Sequence, residues 1–188
     1  MKSSQFIETT RDDHRIAWLT ALAITIHIAE AALPSVLPGV KPGLANVITI
    51  IVLILFGWRI AIWVNLLRVF VGSLLIGTFL SPTFILSFSG ALASTAMLIL
   101  LSQWPGRGCS AIGYSVAAAM AHMMAQFWVA YGLFIQHEAL FRLLPVLMTA
   151  AFLLGLVNGI ITEIVLTKIK REGNEHCYLL TGRSGVSG

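Results

Sequence analysis

Long apolar runs, separated by short segments where charge, proline and glycine collect, set the pattern of this chain. The first runs from Ile16 to Leu33 and is interrupted late by His27 and Glu30. Leu44 to Trp58 is the second, and a third follows almost at once from Ile60 to Gly77 with Asn65 and Arg68 inside it. Phe84 to Leu101 is the fourth, Ala111 to Phe134 the fifth with His122 and Gln126, and Leu143 to Leu166 the sixth. A helix needs about 20 apolar residues to cross a bilayer, and these runs approach or reach that length. Within lipid the backbone must satisfy its own hydrogen bonds, which a helix does alone. The pattern predicts an all-α, polytopic membrane protein of six transmembrane helices over residues 16–166. An N-terminal arm, 1–15, precedes it, and a basic, flexible tail, 167–188, follows.

Between the first two runs, Glu30 to Asn46 carries Pro34, Pro38 and Pro42 with Gly39 and Gly43. A helix cannot continue through that stretch, so the chain turns there with Glu30, Lys41 and Asn46 at its margins. Its position between two spans is where such a protein would meet a ligand.

Composition makes the solvent explicit. The chain is 57% hydrophobic and 11% charged, against about 25% charged in an ordinary soluble domain. Nine of the lysines and arginines, including Lys2, Arg59, Arg107 and Lys168, fall on the side of the two termini, and only Lys41 and Arg142 on the other. The positive-inside rule then places both termini in the cytoplasm and the chain in the cytoplasmic membrane, with Glu30 to Asn46 facing outward. The acids of the arm and the length of the first run argue against a cleaved signal peptide. Cys109 and Cys177 fall on the reducing side, so neither a disulfide nor a metal site is expected.

Polar groups at membrane depth are the candidates for chemistry, because they are costly there. His27 and Glu30 share a face of the first helix, either as a ligand or proton site or as interface and interhelical contacts. Asn65 and Arg68 share a face of the third. Arg68 lies too deep to snorkel and needs a partner: Glu30, a group of buried carbonyls, or an anionic ligand held bidentately. His122 and Gln126 share a face of the fifth, where they either read a substrate or hold helices together. Ala17 and Ala21, and Gly155 and Gly159 beside Asn158, have the small-x-x-x-small spacing of close helix packing. The chain has no Gly-x-x-x-x-Gly-Lys-Ser/Thr loop and no Asp-Asp-x-x-Asp motif; Asp12-Asp13 is a single pair. No catalytic residue, cofactor or nucleic-acid partner is expected from such a chain.

Pro38 to Asn46, Pro-Gly-Val-Lys-Pro-Gly-Leu-Ala-Asn, follows Glu30 and Pro34. With Leu67-Arg68-Val69, Gly72 to Thr78, Ser87-Phe88-Ser89-Gly90, and Ala121-His122 with Gln126, it resembles the Gx transporter family. That family also goes by heptaprenyl diphosphate synthase component I and is similar to the S components of energy-coupling-factor transporters. Pro42 departs from it, since the family tends to carry an apolar residue there. The resemblance covers Ala17 to Leu166 and implies an S-component-like bundle. Substrate would be bound under the loop between the first two helices, with Glu30, Lys41, Asn46, Arg68, His122 and Gln126 as site candidates. Ala17 and Ala21 would dock on a coupling membrane subunit energised by separate ATPases. Uptake of a small molecule is the function it implies. A non-catalytic role in polyprenyl diphosphate synthesis, and a scaffold for a membrane redox complex, are the alternatives.

Overall fold

The computed structural model describes residues 11–32, 44–103 and 110–182, and within them all regular structure is helical. The elements are α1 (Arg11–Ala32), α2 (Leu44–Phe56), α3 (Trp58–Ile76), α4 (Pro82–Ser102), α5 (Ala111–Leu133) and α6 (Leu144–Gly182), with a 3-10 turn at Glu138–Arg142 before α6. Local chemistry sets several of these boundaries. The Ser81 hydroxyl accepts from the Phe84 N–H at 3.3 Å, with Pro82 in the first turn of α4, and Ser110 caps α5 by accepting from Gly113 N–H at 3.3 Å. Both are N-caps that satisfy an orphan donor.

Two boundaries differ from expectation. The second helix stops at Phe56, because Gly57 has φ 88°, a left-handed conformation that favours glycine and breaks the helix before Trp58. The last helix does not end near Leu166 but continues to Gly182. Lys168, Lys170, Arg171 and Glu172 are straight-chain helix formers, so polarity ends the apolar span without ending the helix.

Four helices have the length and apolarity to cross a membrane: Trp58–Ile76, Pro82–Ser102, Ala111–Leu133 and Leu144–Ile169. The apolar parts of α1 and α2 are shorter, Ile16–Ala29 and Asn46–Phe56. Large apolar side chains point outward around the bundle, Trp18 at 79% exposure and Ile164 at 63% among them, as expected of a membrane protein in contact with lipid.

Helix α2 spans only about 20 Å but packs on α1, α3, α5 and α6. It buries Thr49 together with Ile48, Ile50, Val52 and Leu53, and these last four meet Ala23 of α1, Val64 of α3, Leu98 of α4 and Ala118 of α5 in the main core. A helix with neighbours on several sides can be apolar nearly all round. A second cluster joins α3 to α4 through Phe70, Phe84 and Phe88, with Phe70 and Phe88 edge to face at 5.4 Å.

Three helix pairs close up where a side chain is missing. The Gly-x-x-x-Gly face of α6 lies on the backbone of α5: a Cβ at Gly159 would come within 2.7 Å of Ile112 Cα, and one at Gly155 within 3.0 Å of Val116 Cα. Helix α1 reaches α3 by laying the His27 ring on Gly72, and α5 reaches α4 by laying His122 on Gly90, where an added Cβ would be 2.9 Å and 2.6 Å from the respective imidazoles. The weak glycine spacing in the sixth apolar run therefore marks an internal seam.

Gly159→Ala should destabilise the protein by about 1–3 kcal/mol, because its clash is with backbone. Gly132→Ala, which meets nothing within 4 Å, should be neutral or raise stability by up to about 1 kcal/mol. Unfolding of the two variants in detergent compares them directly, and equal losses would contradict the seam. Gly90→Ala should likewise cost about 1–3 kcal/mol, and much of that loss should vanish in a His122→Ala background, a coupling read from the double-mutant cycle.

Candidate functional site

Arg68 is buried, at 6% exposure, on the face of α3 that meets α4. Its Nη2 donates to Asn65 Oδ1 at 2.6 Å. Asn65, with no exposed surface, donates through Nδ2 to Thr95 Oγ1 at 2.6 Å and to the Ala91 carbonyl at 3.2 Å. Thr95 in turn donates to the Ala91 carbonyl at 2.8 Å. One asparagine thus accepts from the guanidinium of its own helix and donates across to the next. A charge-assisted bond of this kind is among the stronger ones in a protein, and a low-dielectric interior strengthens it further.

The partner of Arg68 on α3 is therefore Asn65, rather than only the carboxylate, carbonyl cluster or anion that its depth called for. Asn65 was legible at i, i+3 from Arg68. Thr95 was not, since a threonine in an apolar run carries no sequence mark of what it faces. His122 lays its ring on the Gly90 main chain of α4. The third and fifth apolar runs thus each bear on α4, through Asn65 and His122.

Asn46 stands in the first turns of α2, half-buried, and its Oδ1 is enclosed with no hydrogen-bond partner among the described residues. Gln126 is half-buried one turn beyond His122. Glu30 falls near the end of α1, while Lys41 and Cys109 lie outside the described residues. Ala17 and Ala21 are exposed on α1, with Thr25 next along the stripe returning its hydroxyl to the Ala21 carbonyl at 2.8 Å.

A separate cleft of about 40 Å³ opens between α1, α3 and the start of α4. Its polar lining is His27, Ser73, Thr78, Thr83 and Ser87, and its apolar lining Val69, Ile76 and Phe84. Neither Arg68, Asn46, His122 nor Gln126 lines it. Ser73, Thr78 and Ser87 lie in stretches that carry the family resemblance, yet none of the cleft's hydroxyls was expected as a site residue, because serine and threonine are frequent in membrane helices as self-bonded residues.

Among the described residues, no group of three His, Cys, Asp or Glu side chains is placed to hold a metal ion. The chain matches the family described as "Heptaprenyl diphosphate synthase component I" over residues 19–165. No curated protein and no solved structure matches it. The matched stretch begins at Leu19 in α1, ends within α6, and includes the Arg68 network, Asn46, His122, Gln126 and the cleft. By that match the chain belongs to the heptaprenyl diphosphate synthase component I family.

Proposed function

We propose that this protein is the substrate-binding membrane subunit of an uptake system for a small molecule, of the S-component kind, energised by separate coupling and ATPase subunits. The observation that carries this reading is the enclosed Asn46 Oδ1, an acceptor without a hydrogen-bond partner among the described residues. Away from water an unmatched amide oxygen is costly, by about 1–3 kcal/mol on mutational scales, so a donor from outside the chain suits it. His122 and Gln126, both half-buried, add groups that donate and accept on one face of α5. Arg68 orders the α3 and α4 walls behind them through Asn65.

In this reading both termini are cytoplasmic. The exposed Ala17 and Ala21 of α1 form the flat face offered to a coupling subunit.

The family's description favours a second reading, a non-catalytic membrane component working beside a prenyl diphosphate synthase. The sequence supports the non-catalytic part, since diphosphate chemistry on magnesium uses paired acidic motifs that this chain does not carry.

Purification from native membranes, followed by native mass spectrometry, separates the two. The uptake reading expects a retained small molecule whose occupancy falls at least tenfold in Asn46→Ala and Gln126→Ala, at thermal stabilities close to the parent's, together with co-purified ATPase and coupling subunits. Protein that carries no small molecule and brings down a prenyl synthase instead would replace it with the second reading.

A further inference from the structure

The cleft between α1, α3 and α4 stands apart from the residues assigned to uptake, and its chemistry is distinct. Ser73, at 5% exposure, lines it from α3, His27 from α1, Thr78 from the α3–α4 turn, and Thr83 and Ser87 from successive turns of α4. Among the described residues, the lining contains hydroxyls, an imidazole and no side chain of lysine, arginine, aspartate or glutamate. Elsewhere on α4 the hydroxyls are used up internally: Ser89, Ser94, Thr95 and Ser102 each donate to a carbonyl of their own helix. Among the described residues, Thr83 and Ser87 make no such bond, and the cleft is what they face. Ser73 donates to the Phe70 carbonyl at 2.8 Å, which leaves its oxygen lone pairs for a donor from the cleft.

The position of the cleft selects the kind of molecule. The apolar span of α3 ends at Ile76 and that of α4 begins at Pro82, so Ser73, Ile76, Thr78 and Thr83 straddle the level where the chain leaves hydrocarbon. Around it Leu74, Leu75, Phe79 and Leu80 are exposed, Leu80 at 73%. A polar notch at headgroup depth, set in an apolar surface, matches a lipid with its headgroup in the notch and its chains along the helices. The notch holds about 40 Å³, room for about three waters, which suits a headgroup with a few hydroxyls.

From this we infer that the cleft is a lipid-binding site that selects a hydroxyl-bearing headgroup of the glycerol type, held by His27, Ser73, Thr78, Thr83 and Ser87. Hydroxyls of such a headgroup can both donate and accept, as the lining does. A quaternary ammonium headgroup offers these hydroxyls no hydrogen-bond donor. The inference does not depend on the uptake reading, because none of the uptake residues takes part.

The test is native mass spectrometry of the full-length, delipidated protein titrated with phosphatidylglycerol, phosphatidylethanol or phosphatidylcholine. Phosphatidylethanol has the same charge as phosphatidylglycerol but lacks its headgroup hydroxyls, which separates hydroxyl recognition from charge attraction. Phosphatidylglycerol should bind about tenfold tighter than phosphatidylethanol, the scale of one or two hydrogen bonds. Thr83→Val with Ser87→Ala should bring that ratio to within about twofold, while binding of phosphatidylethanol stays unchanged. Thr83→Val alone keeps shape and checks the effect if the double variant unfolds. Equal binding of the two anionic lipids by the parent protein, or a preference that survives in Thr83→Val and in the double variant, would overturn the site.

Discussion

The hydrogen bond from Arg68 to Asn65 is the interaction on which the arrangement of this bundle turns. An arginine cannot give up its proton, so at membrane depth it must be hydrogen-bonded where it stands. Asn65 meets part of that demand from its own helix, then uses its amide to hold the Ala91 carbonyl and the Thr95 hydroxyl of α4. One electrostatic requirement on α3 thus fixes how α3 meets α4. The phenylalanines follow from that register: Asn65 faces residues 91 and 95, while Phe70 faces Phe84 and Phe88, as antiparallel neighbours must.

The other contacts of the site side rest on space. His27 on Gly72 and His122 on Gly90 are imidazoles seated where any Cβ would collide. A histidine against glycine brings a polar ring into contact with main chain, and it does so on both flanks of the α3–α4 pair, from α1 and from α5. The α5–α6 seam uses Gly155 and Gly159 in the same way, but against the backbone and Cβ atoms of α5. Lipid gives helices little hydrophobic reason to associate, so such shape-dependent contacts and buried hydrogen bonds carry the packing. Helix α2, too short in its apolar part to match the others, is accommodated because four neighbours enclose it.

Much of this was legible beforehand. Hydrophobic runs located the six α-helices of the described residues, four of them long and apolar enough to cross a membrane, and i, i+3 spacing put Asn65 beside Arg68, because period and polarity are local properties of a chain. The end of α6 was not legible, since loss of apolarity at Thr167 and loss of helix are different events. Nor was the meaning of the small residues. Ala17 and Ala21 share their spacing with Gly155 and Gly159, yet the first pair is exposed and the second buried in a seam. Spacing identifies a smooth face, while what covers it depends on tertiary packing. The cleft at the start of α4 was hidden for a related reason: its lining comes from α1, α3, the turn and α4, so no single stretch displays it.

Hydroxyl bookkeeping sharpens which polar groups serve the fold and which remain for something else. Thr25, Ser73, Ser94, Thr95 and Thr162 each return their proton to a carbonyl three or four residues back, so polarity in the sequence is absorbed within the helix. Thr20 and Thr49 are buried and do not, and the Asn46 amide oxygen, one turn before Thr49 on α2, is likewise unmatched among the described residues. Arg68 is met by Asn65 at its Nη2. At membrane depth a group with internal partners is explained by folding, whereas an enclosed group without one bears a cost that folding does not explain. In the uptake reading proposed above, the Asn46 oxygen is such a group, while Arg68, through Asn65, holds the α3 and α4 walls in place.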